Sequence, residues 1–198
     1  MKTHGTVGVA QAWVELNTAD PEAVSALRVA RAHLPAGRAL TGLRRLRLIE
    51  LAGPLPEREQ LEELLHRSTQ FYNPHKERCA VRLGAAESAP VAEGAAVVLV
   101  CERGSERREA AERWWLHETG AAIEVREGVA WVLSFEGNAP ALQLAGELTA
   151  LRDRQHGLLA NPHCQDAAVS GAQVPLPWIT EAVFEAAGEG NHARQHSE

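Results

Sequence analysis

The chain has 198 residues, 45% of them apolar and 23% charged, with a formal net charge of −6 and no apolar run near the roughly 18 residues of a membrane-spanning helix. That balance predicts a soluble globular protein of one or two domains, excludes a membrane as partner, and lacks the basic footprint of a nucleic-acid binder. Three scattered cysteines, Cys79, Cys101 and Cys164, fit reduced thiols better than a disulfide framework. The start, Met1-Lys2-Thr3-His4-Gly5, carries no apolar core of a secretory signal, so a cytoplasmic address is expected.

Val7, Val9, Ala12, Val14 and Leu16 alternate in part, as a half-buried strand does. Asp20-Pro21-Glu22 then supplies an N-cap, a first-turn proline and an acidic first turn. Val24, Leu27, Ala30 and Leu34 keep helical spacing until Pro35-Ala36-Gly37. Leu43 to Leu51 has apolar residues on both faces and arginines at its middle, which predicts a central strand. Gly53-Pro54-Leu55-Pro56 reads as a turn, and Glu57 to Ser68 as an amphipathic helix with Leu61, Leu64 and Leu65 on one stripe. Past Asn73-Pro74, Cys79, Val81 and Leu83 alternate as a short third strand.

Residues 85–94 are a natural linker. Ala95 to Cys101 is an apolar run of strand length; Ser105 is expected to cap a helix carrying Ala110, Ala111, Trp114, Trp115 and Leu116 and ended by Gly120. Ile123 to Phe135 predicts a long strand or hairpin interrupted at Glu127-Gly128, where glycine permits a positive φ or a bulge. Ala139 to Gly157 predicts a second amphipathic helix. Beyond Asp166 the chain is rich in Gly and Ala, holds one apolar island at Val174 to Ile179, and ends in a segment too polar to order itself.

The order β-α-β-α-β thus recurs, and so do residues. Leu43-Arg44-Arg45-Leu46-Arg47-Leu48-Ile49-Glu50-Leu51 parallels Val125-Arg126-Glu127-Gly128-Val129-Ala130-Trp131-Val132-Leu133 at an offset of 82, and Asn73-Pro74 parallels Asn161-Pro162 at an offset of 88. A period near 85 is too long for a solenoid. The expected fold is α/β in the two-layer α+β sense: tandem units at 1–84 and 95–170, their sheets paired as a pseudo-dimer with helices on one face, and a tail at 171–198.

Each unit resembles the small PurS subunit of phosphoribosylformylglycinamidine synthase. That family's pattern is an apolar residue, Arg, any residue, Gly, Lys, two apolar residues and Glu-Leu, then a helix ending in Leu-Leu-Ala-Asn-Pro. Leu158-Leu159-Ala160-Asn161-Pro162 matches the closing motif, and Asp166 the acidic residue after it; Arg44 and Arg126 match the Arg, Gly128 the Gly, and Glu50-Leu51 the Glu-Leu pair. Arg47 stands where Lys is expected, Leu46 replaces the Gly, Val129 and Val132 replace Lys and Glu, and Phe71-Tyr72 replaces Leu-Ala. Neither copy is complete, which suits a fused pair freed from satisfying both sides of a symmetric dimer.

The resemblance covers roughly residues 7–169 and is similar also to the two-unit N-terminal region of the long single-chain form of the enzyme. It implies a non-catalytic bridge between a PurL-like synthetase and a PurQ-like glutaminase subunit, with self-association left open. The complex would use ATP, Mg and glutamine to convert formylglycinamide ribonucleotide to the formylglycinamidine, while this chain itself would bind no cofactor.

The residues alone give no activated Cys-His pair, Gly-rich phosphate cradle or zinc-type ligand spacing. Arg44, Arg45 and Arg47 read equally as a solvated strand face or as a surface for a phosphate or acidic partner. Trp114 or Trp115 would anchor an interface while the other enters the core, and Trp178 would be either a docking anchor or folded back. Glu50, Arg126, Gly128 and the residues Asn73, Pro74, Asn161 and Pro162 complete the interface candidates, though the Asn-Pro pairs also read as plain turn chemistry. The rival reading is a small-molecule sensor with a ligand cleft between paired units.

Overall fold

The structure, a computed structural model, describes residues 6–179. The first half runs β1 (Thr6–Leu16), α1 (Pro21–His33), β2 (Leu40–Leu55), α2 (Arg58–Arg67) and β3 (Glu77–Leu83). The second runs β4 (Ala96–Glu102), α3 (Glu109–Thr119), β5 (Glu124–Phe135), α4 (Ala141–Thr149) and β6 (Gln165–Ser170). The strands form one antiparallel sheet in the order β3-β1-β2-β5-β4-β6, so the two halves meet edge to edge through β2 and β5 and share a single sheet.

Strand alternation sorts the core. One face presents Ala10, Ala12 and Val14 of β1, Ile49 and Leu51 of β2 and Val125 of β5, covered by Leu61, Leu64 and Leu65 of α2 and Trp115 of α3. The same face continues through Trp131 and Leu133 of β5 and Ala96, Val98 and Val100 of β4, which take α1 and α4 through Ala23, Ala30, Ala145 and Leu148. The four α-helices of the described residues therefore lie on one side.

The opposite face, with Trp13, Leu46, Leu48, Val97, Leu99, Ala130 and Val132, is covered by Ala89 and Ala95 ahead of β4 and by Val174, Trp178 and Ile179 after β6. Composition alone assigned Ala89 to a linker and Val174, Trp178 and Ile179 to a tail. Each large apolar side chain buried is worth about 1.5–3 kcal/mol, which is why residues up to Ile179 pack instead of trailing; the disorder expected of the last residues lies outside the described residues.

Local signals set most boundaries. Asp20 accepts from the amides of Glu22 (2.8 Å) and Ala23 (3.3 Å), Pro21 occupies the first turn, and Arg31 and His33 sit in the last turn of α1, where the helix dipole favours cations. Four boundaries differ from the sequence reading. β2 runs through Gly53-Pro54-Leu55, because β1 pairs with it as far as Thr6–Leu55; Pro54 lies past the end of the β5 pairing at Ala52, where only one neighbour strand remains.

α3 starts at Glu109 with Arg108 as cap, and Ser105 caps nothing, because residues 106–108 pair with β5: Arg108 donates to the Val125 carbonyl (2.8 Å) and Glu127 to that of Glu106 (2.7 Å). α4 stops at Thr149, eight residues before Gly157. The amides of Gly157, Leu158 and Ala160 take the carbonyls of Glu147, Leu148 and Thr149, which the next helical turn would have needed.

β5, finally, passes Gly128 without a hairpin or bulge. Gly128 is there for space: a Cβ on it would lie 2.8 Å from Cys101 Sγ and 2.9 Å from Leu99 Cδ1, whereas one on Gly42 would meet nothing closer than 3.7 Å. Gly128→Val should therefore lower stability by about 1–3 kcal/mol in urea denaturation, with Gly42→Ala within about 0.5 kcal/mol of the wild type. Equal effects would contradict this packing.

Candidate functional site

The three arginines of β2 do not form one patch. Alternation sends Arg45 and Arg47 to the helix face and Arg44 to the other. Arg44 pairs with Glu15 (2.8 Å), Arg45 with Asp20 (3.5 Å) and Glu22 (3.1 Å), and Arg47 with Glu77 (3.4 Å) and Glu127 (3.5 Å). Arg45 also lies 5.8 Å from the Trp131 ring centre, a cation–π distance. Every guanidinium has a carboxylate of its own chain, so the cluster is neutralised from within. Arg126 likewise pairs with Glu106 (3.2 Å) and Glu124.

Glu50 is 3% exposed, a carboxylate inside the sheet's second face. It accepts from Gln11 Nε2 (2.9 Å) and from the backbone amides of Trp178 (2.5 Å) and Ile179 (3.0 Å). Arg82, also buried, donates to Gln11 Oε1 (3.1 Å) and to the Val174 carbonyl (2.8 Å). Buried charge is tolerated when its lone pairs are filled in this way. The network pins residues 174–179 to β1, β2 and β3, and the Trp178 side chain is buried within its own chain. Sequence reading missed Gln11 and Arg82; their signal was a polar residue between apolar ones, in Ala10-Gln11-Ala12 and Val81-Arg82-Leu83.

Both Asn-Pro pairs build the same hydrogen-bond box. Asn73 Oδ1 accepts from the His75 amide (3.1 Å), its amide donates to Glu77 Oε2 (2.6 Å), and its carbonyl accepts from Lys76 (2.9 Å) and Glu77 (2.8 Å). Asn161 Oδ1 accepts from the His163 amide (3.0 Å), its amide donates to Gln165 Oε1 (2.8 Å), and its carbonyl accepts from Cys164 (3.2 Å) and Gln165 (2.9 Å). Each box starts an outer strand, and in each the preceding carbonyl receives an amide from just beyond the neighbouring strand: Asn17 to Lys76 (2.8 Å) and Arg103 to Cys164 (3.0 Å).

Strand registers agree with these boxes. Ala12 lies between Ile49 and Val81, and Val98 between Trp131 and Val169. A shift of 86 residues carries Ala12 onto Val98, 82 carries Ile49 onto Trp131, and 88 carries Val81 onto Val169. The last two are the offsets between Arg44 and Arg126 and between Pro74 and Pro162. The 82-residue shift also carries Arg47 onto its cross-strand partner Val129.

Trp115 fills the core, and Trp114 lies half-buried against Phe71, ring centres 5.7 Å apart. Equivalent grooves flank the outer strands. One, about 370 Å³, is lined by Glu62, His66, Tyr72 and Cys79; the other, about 530 Å³, by Gly146, Ala150, Ala160 and Ala167 with Arg103 and Arg152 at its rim. Burial pushes the thiols of Cys79 and Cys101 up to about 12, so both stay protonated and unreactive at neutral pH. No protein-family model matches the chain, and no curated protein or solved structure does.

Two consequences are measurable. Glu50→Gln sets an amide nitrogen among donors and should cost about 1–3 kcal/mol, with faster hydrogen exchange at Trp178 and Ile179; unchanged protection there would refute the clamp. Burial tends to raise the pKa of Glu15, but Arg78 and Arg44 outweigh it and hold the carboxyl below its ordinary 4.5. A depressed carboxylate contributes stability that is full above its unfolded value and lost as pH falls through the folded one. The stability gap between wild type and Glu15→Gln should thus be widest at neutral pH and close below pH 4.5; a gap that persists in acid would contradict the ion pairs.

Proposed function

We propose that the chain is a tandem PurS-like assembly subunit of a glutamine-dependent formylglycinamidine ribonucleotide synthetase complex, holding a PurL-like synthetase and a PurQ-like glutaminase together for ammonia transfer. The observation that carries the reading is the agreement between the offsets of the sequence motifs, 82 and 88, and the registers of the two halves, down to the matching Asn-Pro boxes. Two units from one ancestor would produce that agreement; unrelated halves would have no reason to.

The departures from the family pattern support it too. Across the β2–β5 seam Glu50 stands opposite Arg126, and Arg44 opposite Val132. In a symmetric pair each Arg of the pattern would face a Glu of the other copy. Here one such pairing keeps both residues and the other has lost its Glu, with Arg44 turned to Glu15. A fused chain can retain one of two equivalent pairs, whereas a homodimer must keep or lose both.

In this role the chain supplies rigidity and two distinguishable sides, and ATP, Mg and glutamine are handled by the other subunits. Mixing it with separately purified synthetase and glutaminase should give a stable complex whose glutamine-dependent turnover needs this chain. Full glutamine-dependent activity in its absence would sink the proposal.

A further inference from the structure

We infer that the outer edge of β6, with the groove between β6 and α4, receives an extended segment of a partner protein, apolar at alternate positions and acidic beside them. The inference rests on the assembly reading and says which edge of the sheet the partner meets.

The two outer strands differ in what their edges leave open. Arg103 donates to the Cys164 carbonyl, so alternation turns the backbone groups of Asp166 and Ala168 toward β4 and those of Ala167 and Val169 outward. In β3 the corresponding outward residues are Cys79, Val81 and Leu83. There Arg58 donates to the Val81 carbonyl (3.1 Å) and Glu87 Oε2 accepts from the Leu83 amide (2.9 Å), capping the edge. The 88-residue shift carries Val81 onto Val169, whose outward groups have no partner among the described residues.

The groove beside that open edge has also been emptied. Where the first half has Tyr72 and Cys79, the second has Ala160 and Ala167, and the cavity grows from about 370 to about 530 Å³. Gly146 lies inside α4, where glycine weakens a helix, yet a Cβ on it would meet nothing within 4 Å. No contact of this chain requires that glycine. A side chain from outside lying along α4 does.

The surroundings state what would fit. Leu142, one turn before Gly146 on α4, and Val169 in the groove lining are 56% and 38% exposed, large apolar side chains left open to solvent. Of the two arginines lining the groove, Arg103 is paired with Asp166 (2.7 Å), whereas Arg152 has no ion-pair partner among the described residues, so an acidic side chain complements it. An added strand would take the outward groups of Ala167 and Val169, drop apolar side chains toward Gly146 and Ala160, and place a carboxylate at Arg152.

Calorimetric titration of the full chain with the synthetase and with the glutaminase, for wild type, Gly146→Gln and Arg152→Glu, tests this. Both variants should weaken binding to one of the two subunits about tenfold or more, while Gly146→Gln raises the melting temperature, a split that a merely structural role would not give. Wild-type binding that both variants match overturns the inference and leaves the adaptor reading standing. Wild type binding neither subunit overturns both. Loss of self-association in the variants would assign the edge to a second copy, and slow amide exchange at Ala167 and Val169 in the isolated monomer would assign it to the chain's own residues; either result overturns the inference.

Discussion

The antiparallel pairing of β2 with β5 is the constraint on which the remaining structure depends. Each strand is apolar on both faces, β2 with Leu46 and Leu48 on one and Ile49 on the other, β5 with Ala130 and Val132 on one and Leu133 on the other, so a central place that covers both faces suits them. Joined, they become the centre of a six-stranded sheet, and the cores on both of its faces draw on both halves. Trp13 of β1 shares a cluster with Val97 of β4, and Trp115 of α3 one with Leu61 of α2. A single chain makes this pairing intramolecular, so it no longer depends on protein concentration.

On that frame, the informative residues are those at equivalent positions that differ. Glu50 faces Arg126 while Arg44 faces Val132; Tyr72 lines one groove where Ala160 lines the other; Arg58 and Glu87 cap one outer edge, and among the described residues nothing caps the other. These differences leave the two ends of the one sheet with different side chains and different edges.

Much of the frame was legible in the sequence, because it rests on local patterns. Asp20-Pro21 fixed the start of α1, the Leu61, Leu64 and Leu65 stripe fixed α2, and the two offsets anticipated the registers of strands far apart in the chain. What could not be read depended on distant partners. Pro54 is a turn signal overruled by β1, and α4 ends early because residues 157–160 return to claim its carbonyls. The buried network failed to show for the same reason: Gln11, Glu50 and Arg82 are ordinary polar residues until residues 174–179 arrive above them. The arginines of β2 looked like an outward patch because their carboxylates, Glu15, Asp20 and Glu77, lie on other elements.

The Glu50 clamp also orders events during synthesis. The carboxylate is made early and its donors at Trp178 and Ile179 late, so Trp13, Leu46 and Leu48 stay partly wet on the ribosome until nearly all of the described chain has emerged. A nascent molecule interrupted before Val174 would hold a complete sheet whose second face has only Ala89 and Ala95 over it, a greasy surface that chaperones and proteases recognise.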